Sequence, residues 1–234
     1  MVKHTTHTNL KALSRFLQIL DGTFPSGIFV HSFGLEPHII KQNVKDITTL
    51  KIYLKNLITD QYDNMEFIYI KKVYDALMAN KLPLIKKMDN NYGCYLTYEY
   101  TKSSINIGNN YYTQIKNHPT KQIVKEYFSL IENKQSLGNE IIVLSAYAFD
   151  LDITLEDFIV MWTKKNLINI AATTLKISRI KPSEVQQMLF EFDEILENLD
   201  FSFDIKKDKI TNFNPLFEEI IFAHKNLEPK MFAT

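Results

Sequence analysis

The residues of this chain best suited to bond chemistry gather in one stretch, DGTFPSGIFVHSFGLEPH at 21–38. His31, Glu36 and His38 offer two imidazoles and a carboxylate, a donor set compatible with nickel. His31 and His38 lie two helical turns apart, yet Pro37 stands against one uninterrupted helix through both. Ser32 beside His31 raises a second class of function, a helical metal-dependent or Ser/His hydrolase using His31, Ser32, Glu36 and His38. Adjacent residues do not automatically face one another, however, and no Gly-x-Ser-x-Gly elbow is present. The bland reading has Phe24, Phe29 and Phe33 plugging the core, His31 and Ser32 bonding to backbone, and His38 exposed on a helix. His4 and His7 belong with a frayed terminus.

Nucleotide chemistry has even less to work with. There is no Gly-x-x-x-x-Gly-Lys-Ser/Thr run to cradle phosphates. An arginine finger could come only from Arg15 or Arg179, the two arginines of the chain. The single cysteine, Cys94, forms no internal disulfide and reads as a small buried hydrophobe.

The elements that must position these residues are helical. Leu10, Leu13, Leu17 and Leu20 share one helix face, with Thr8 as a cap, and Ile47, Leu50, Leu54, Leu57 and Ile58 repeat the spacing. Phe67, Ile70, Val73, Tyr74 and Leu77 do so again. Thr154 with Asp157 forms a capping box ahead of a central helix over 158–177. Pro182 opens a helix striped by Val185, Met188, Leu189, Phe192, Leu196 and Leu199, and Asn214–Pro215 opens a last one. Alternation at Tyr92, Cys94, Leu96, Tyr98 and Tyr100 suggests a strand, but helical spacing from Leu96 to Ile115 lasts longer and argues helix. Phe201, Phe203 and Ile205 also alternate, and 206–214 is the one hinge candidate. The tyrosines are core and helix-contact residues, and Lys71–Lys72, Lys86–Lys87 and Lys164–Lys165 are solvated faces. The fold class is therefore all-α: a single-domain bundle of about eight to ten helices over residues 1–234.

With 27 basic and 27 acidic residues the formal net charge is zero, so no basic field exists to hold nucleic acid. The longest apolar run, 141–149, is too short to span a bilayer, and the opening lacks a signal-peptide pattern, which points to a soluble cytoplasmic protein.

Three of the six glycines, Gly22, Gly27 and Gly34, fall within 21–36 together with Pro25. They specify a tight loop. Leu17-Gln18-Ile19-Leu20-Asp21, Pro25-Ser26-Gly27 and Phe29-Val30-His31-Ser32-Phe33-Gly34-Leu35-Glu36 resemble the N-terminal signature of the UreF family of urease accessory proteins. Glu99, Ser104 and Gly108 are similar to that family's Glu, Ser and Gly on a middle helix. His224, Leu227, Met231 and Phe232 resemble its tail. Departures are Lys225 and Lys230 in the tail, a degraded run over Lys176–Lys181, Glu140 where members often carry a His, and Ser145 at a glycine position.

The resemblance implies a non-catalytic, dimeric, all-α scaffold without a cofactor of its own. It would bind UreD/UreH, dock the GTPase UreG, which carries the GTP, and help deliver nickel to apo-urease. It also implies partner contacts at Asp21, Pro25, Gly27, Phe29, His31, Ser32, Gly34 and Glu36, and at His224, Leu227, Lys230, Met231 and Phe232. Residues 1–8 would then be a flexible N-terminus and 227–234 a tail that orders on its partner.

Overall fold

The computed structural model describes residues 10–21, 24–26, 35–201, 210 and 231. All regular elements among them are helical: α1 (Leu10–Leu20), α2 (Leu35–Ile40), α3 (Ile47–Asn56), α4 (Phe67–Met78), α5 (Leu82–Tyr92), α6 (Tyr98–Ile115), α7 (Gln122–Glu132), α8 (Glu140–Asp150), α9 (Leu155–Ile177) and α10 (Pro182–Glu197). Leu57–Glu66 is a π-helical segment joining α3 to α4 in one rod, and Gly93–Tyr95 is a short 3-10 turn. The expected alternation at 92–100 is thus the end of α5, this turn and the start of α6. Thr97 caps α6 by accepting the Tyr100 amide. The alternation at 201–205, most of the 206–214 hinge and the helix expected at Asn214–Pro215 lie outside the described residues.

α8 forms the axis of the bundle. Every residue from Glu140 to Ala148 is buried, because its sequence is apolar nearly all round and α4, α6, α7 and α9 surround it. The central role expected of the 158–177 run therefore belongs to α8. α9 instead lies alongside α2, α4, α8 and α10, with Ile168 and Leu175 facing out. Its start agrees with the Thr154 cap, whose hydroxyl accepts the Asp157 amide at 3.1 Å. The stripe expected on α10 is buried from Val185 to Leu196.

Gly108 brings α6 against the entry to α8. A Cβ there would lie 2.1 Å from the Gly138 carbonyl oxygen and 2.5 Å from the Glu140 nitrogen. Only a residue without a side chain permits this approach. The same junction is tied by Asp89 of α5. Its carboxylate accepts from the Gly138 and Asn139 amides, both at 2.8 Å, from Ser136 Oγ at 2.7 Å and from the Tyr127 hydroxyl at 3.1 Å. Gly138 adopts φ 74° in this loop.

Three further expectations fail, each for a physical reason. α1 buries Ala12, Phe16 and Ile19, while Leu10, Leu13 and Leu17 are exposed. Its period is helical as expected, but Phe16 wins the inward face by packing edge-on against Phe158 at 5.7 Å. Cys94 is exposed, since the 3-10 turn carries it to the surface. Lys165 is not solvated: its side chain is 2% exposed and paired with Glu140. It shares the inward phase of Phe158, Trp162 and Asn169 along α9.

Candidate partner-binding surface

The signature stretch is anchored at both ends by the bundle. After α1 the chain turns tightly: the Asp21 amide donates to Leu17 O at 3.0 Å, Phe24 to Asp21 O at 3.0 Å, and Ser26 to Phe24 O at 2.6 Å. Phe24 stacks on Tyr111 of α6 with ring centroids 5.4 Å apart, and Asn110 Nδ2 donates to the Ser26 carbonyl at 2.9 Å. Pro25 and Asp21 remain exposed beside an open recess of about 510 Å³ bounded by Leu17, Phe24 and Gln114.

Beneath Tyr111 lies charge. The Lys165 ammonium sits 5.3 Å from the Tyr111 ring centroid while pairing with the Glu140 carboxylate. Burial alone would pull the Lys165 amine down, but the Glu140 carboxylate and Tyr111 outweigh it and hold the amine above its ordinary value. Thus Glu140, at the position where the resemblance has a His, serves as the counter-ion under the signature segment. Ser145 bonds back to the Ile141 carbonyl within α8.

At the other end, Glu36 opens α2 and is 1% exposed. One of its oxygens accepts the backbone amide of Met231 at 2.8 Å, while the Met231 residue is 60% exposed. Head and tail of the chain therefore meet at one buried carboxylate. Pro37 fits within the first turn of α2, so it opens that helix and does not break it. His38 is half-buried, edge-on to Tyr53 of α3 at 4.9 Å, with its imidazole pKa lowered by burial and by Lys41.

Gly27, Phe29, His31, Ser32 and Gly34, and His224, Leu227, Lys230 and Phe232 in the tail, lie outside the described residues. Among the described residues no three His, Cys, Asp or Glu side chains group as a metal site, and no helix is long and apolar enough to cross a membrane. Of the middle-helix residues, Ser104 is buried and Glu99 half-buried in the first turn of α6, while Gly108 makes the close approach to α8.

The sequence model of the UreF family matches residues 44–193. The chain belongs to the UreF family. It is similar along nearly its whole length to the urease accessory protein UreF of Bacillus sp. (strain TB-90), with 23% identity over 227 residues, 96% of this chain and 100% of that one. UreF of Ureaplasma parvum gives 23% identity over 236 residues, 98% of this chain and 100% of the relative. UreF of Streptococcus salivarius gives 25% over 157 residues, 67% and 66% of the two chains. The family's role is accessory to urease. The matched span begins at the entry to α3 and ends within α10, so it frames the bundle. The signature stretch and the tail that meet at Glu36 fall outside it and are covered by the full-length relatives.

Sequence reading alone missed Asn110 and Lys165, which carry the signature segment from below. The signal for Lys165 was present in its phase with Phe158 and Trp162. Asn110 had none, because its partner is a main-chain carbonyl.

Proposed function

We propose that this chain is a non-catalytic scaffold for nickel insertion into apo-urease. It bridges UreD/UreH and the GTPase UreG, handles nickel as transient cargo, and leaves GTP to its partner. The observation that carries this reading, beyond family membership, is the Glu36–Met231 bond. It ties Met231 of the tail to Glu36 of the head, and chain segments held beside each other on a rigid helical scaffold are a common place for partner binding. On this reading Asp21, Pro25, Gly27, Phe29, His31, Ser32 and Gly34 supply the head half of the contact surface, with the buried Glu36 tying it to the tail. His224, Leu227, Lys230, Met231 and Phe232 form its tail half. On this reading, residues 227–234 complete their ordering on UreD/UreH, and UreG docks on the resulting assembly, the scaffold itself working as a cytoplasmic homodimer.

The test removes the tail from Leu227 onward. The shortened chain remains folded by circular dichroism and no longer co-purifies with UreD/UreH. Undiminished co-purification refutes the reading.

A further inference from the structure

The π-helical segment Leu57–Glu66 encloses a polar pair that packing alone does not explain. Gln61 and Glu66 are both about fully buried, at 1% and 0% exposure. Gln61 Nε2 donates to Glu66 Oε1 at 2.8 Å, across five residues. Gln61 Oε1 and Glu66 Oε2, the other atoms of the same amide and carboxyl, are buried without a partner. Two orphaned acceptors in a native core call for a donor. A proton on Oε2 supplies it for the carboxyl, since a neutral carboxylic acid and an amide are complementary, each offering one donor and one acceptor; the Tyr100 hydroxyl also bonds the Gln61 side chain.

Charge counting agrees. Around Glu66 stand Tyr92 of α5, Tyr100 of α6 and Glu140 of α8, with Tyr62 on its own segment and Tyr53 of α3 beyond the tyrosines. Among the described residues the one buried amine of this layer, Lys165 of α9, is already paired with Glu140. A second carboxylate would be uncompensated. Burial, reinforced by Glu140, pushes the Glu66 carboxyl up to about 7, although the Gln61 bond pulls the other way.

The pairing also depends on the kind of helix. In an α-helix, residues five apart are separated by about 140° around the axis. A π-helix, whose backbone bonds span five residues, brings them together. Asn64 reinforces the same turn from outside, donating to the Thr59 and Asp60 carbonyls, both at 3.0 Å.

We propose that Leu57–Glu66 is a proton-gated hinge, held in its π form by a neutral Glu66 paired with Gln61 and released toward an α register when Glu66 ionises. α4 is buried against α5, α8 and α9, so the movement falls on α3. Through Tyr53 and His38, α3 bears on α2 and so on Glu36, the meeting point of head and tail. This functional meaning rests on the scaffold reading, whereas the hinge itself does not.

The test needs no partner, so its failure is distinguishable from failure of the tail deletion. Amide hydrogen exchange over 57–66 is followed in the full chain from pH 5.5 to 8.5, corrected for the intrinsic rate. Protection in the wild type falls by up to tenfold per pH unit as Glu66 ionises, whereas Glu66→Gln, which keeps a donor toward Gln61, stays protected throughout. A flat wild-type profile, or the same fall in Glu66→Gln, overturns the proposal. Should Glu66→Gln not fold, the wild type alone decides: a carboxyl-carbon midpoint near 7 together with the fall in protection supports the hinge, and a midpoint near 4.5, or one near 7 with protection flat, sinks it.

Discussion

Substituting Glu36 tests whether head and tail of this UreF protein act as one surface. Glu36→Ala removes the acceptor of the Met231 amide without touching any exposed contact residue, since the side chain is buried. A hydrogen bond to a charged group contributes about 1.5–3 kcal/mol, which corresponds to roughly a 10- to 150-fold fall in the population with the tail held. The Met231 amide reads this directly: its hydrogen exchange speeds up by that factor while the helical circular dichroism stays unchanged. Glu36→Gln keeps an oxygen in place as a neutral acceptor and falls between the two. Affinity for UreD/UreH, measured by calorimetric titration, then follows the same order of wild type, Gln and Ala. Equal exchange of the Met231 amide in wild type and Glu36→Ala would refute the latch.

The junction of α6 and α8 gives a second expectation. Gly108→Ala places a Cβ against backbone that cannot rotate away, so the helices must part by roughly 1 Å to restore ordinary contact. The strain, about 1–3 kcal/mol, opposes a gain of about 1 kcal/mol in helix propensity. With unyielding backbone as the obstacle the strain lies toward its upper end, and a net loss of up to about 2 kcal/mol lowers the melting temperature by up to about 4–8 °C in a chain of this size; a variant melting at or above wild type contradicts the close approach. Lys165→Met strands the Glu140 carboxylate in the core and destabilises by about 3–5 kcal/mol in urea denaturation. Adding Glu140→Gln recovers most of that loss, and failure to recover it argues against the pair.

Much of the bundle was legible because apolar period reports helix existence well. The stripes at Phe67–Leu77 and Val185–Leu196, the Thr154 cap and the Pro182 start all stand in the structure. What period cannot report is which face wins. In α1 the face of Ala12, Phe16 and Ile19 lies about 100° round from that of the leucines, and the position of Phe158 decides between them. The π segment was illegible for a similar reason: it differs from an α-helix by one residue per turn, and its apolar spacing reads as two ordinary helices. Of the candidate surface, Asp21, Pro25 and Glu36 were named from sequence and are placed at or beside the tight turn and the head–tail contact. The supports from α6 and α9 were not, because long-range partners leave no local pattern.

The Asp89 carboxylate has a wider consequence. It meets the amides of Gly138 and Asn139 from 49 and 50 residues upstream, so the entry to the axial helix is completed by a distant part of the polypeptide. A chain cut between α7 and α8 would leave bare amides on one piece and, on the other, an acid that keeps the Tyr127 hydroxyl but loses those amides. Such mutual dependence couples the forming of the axial helix to that of α5, so the two halves of the bundle assemble together.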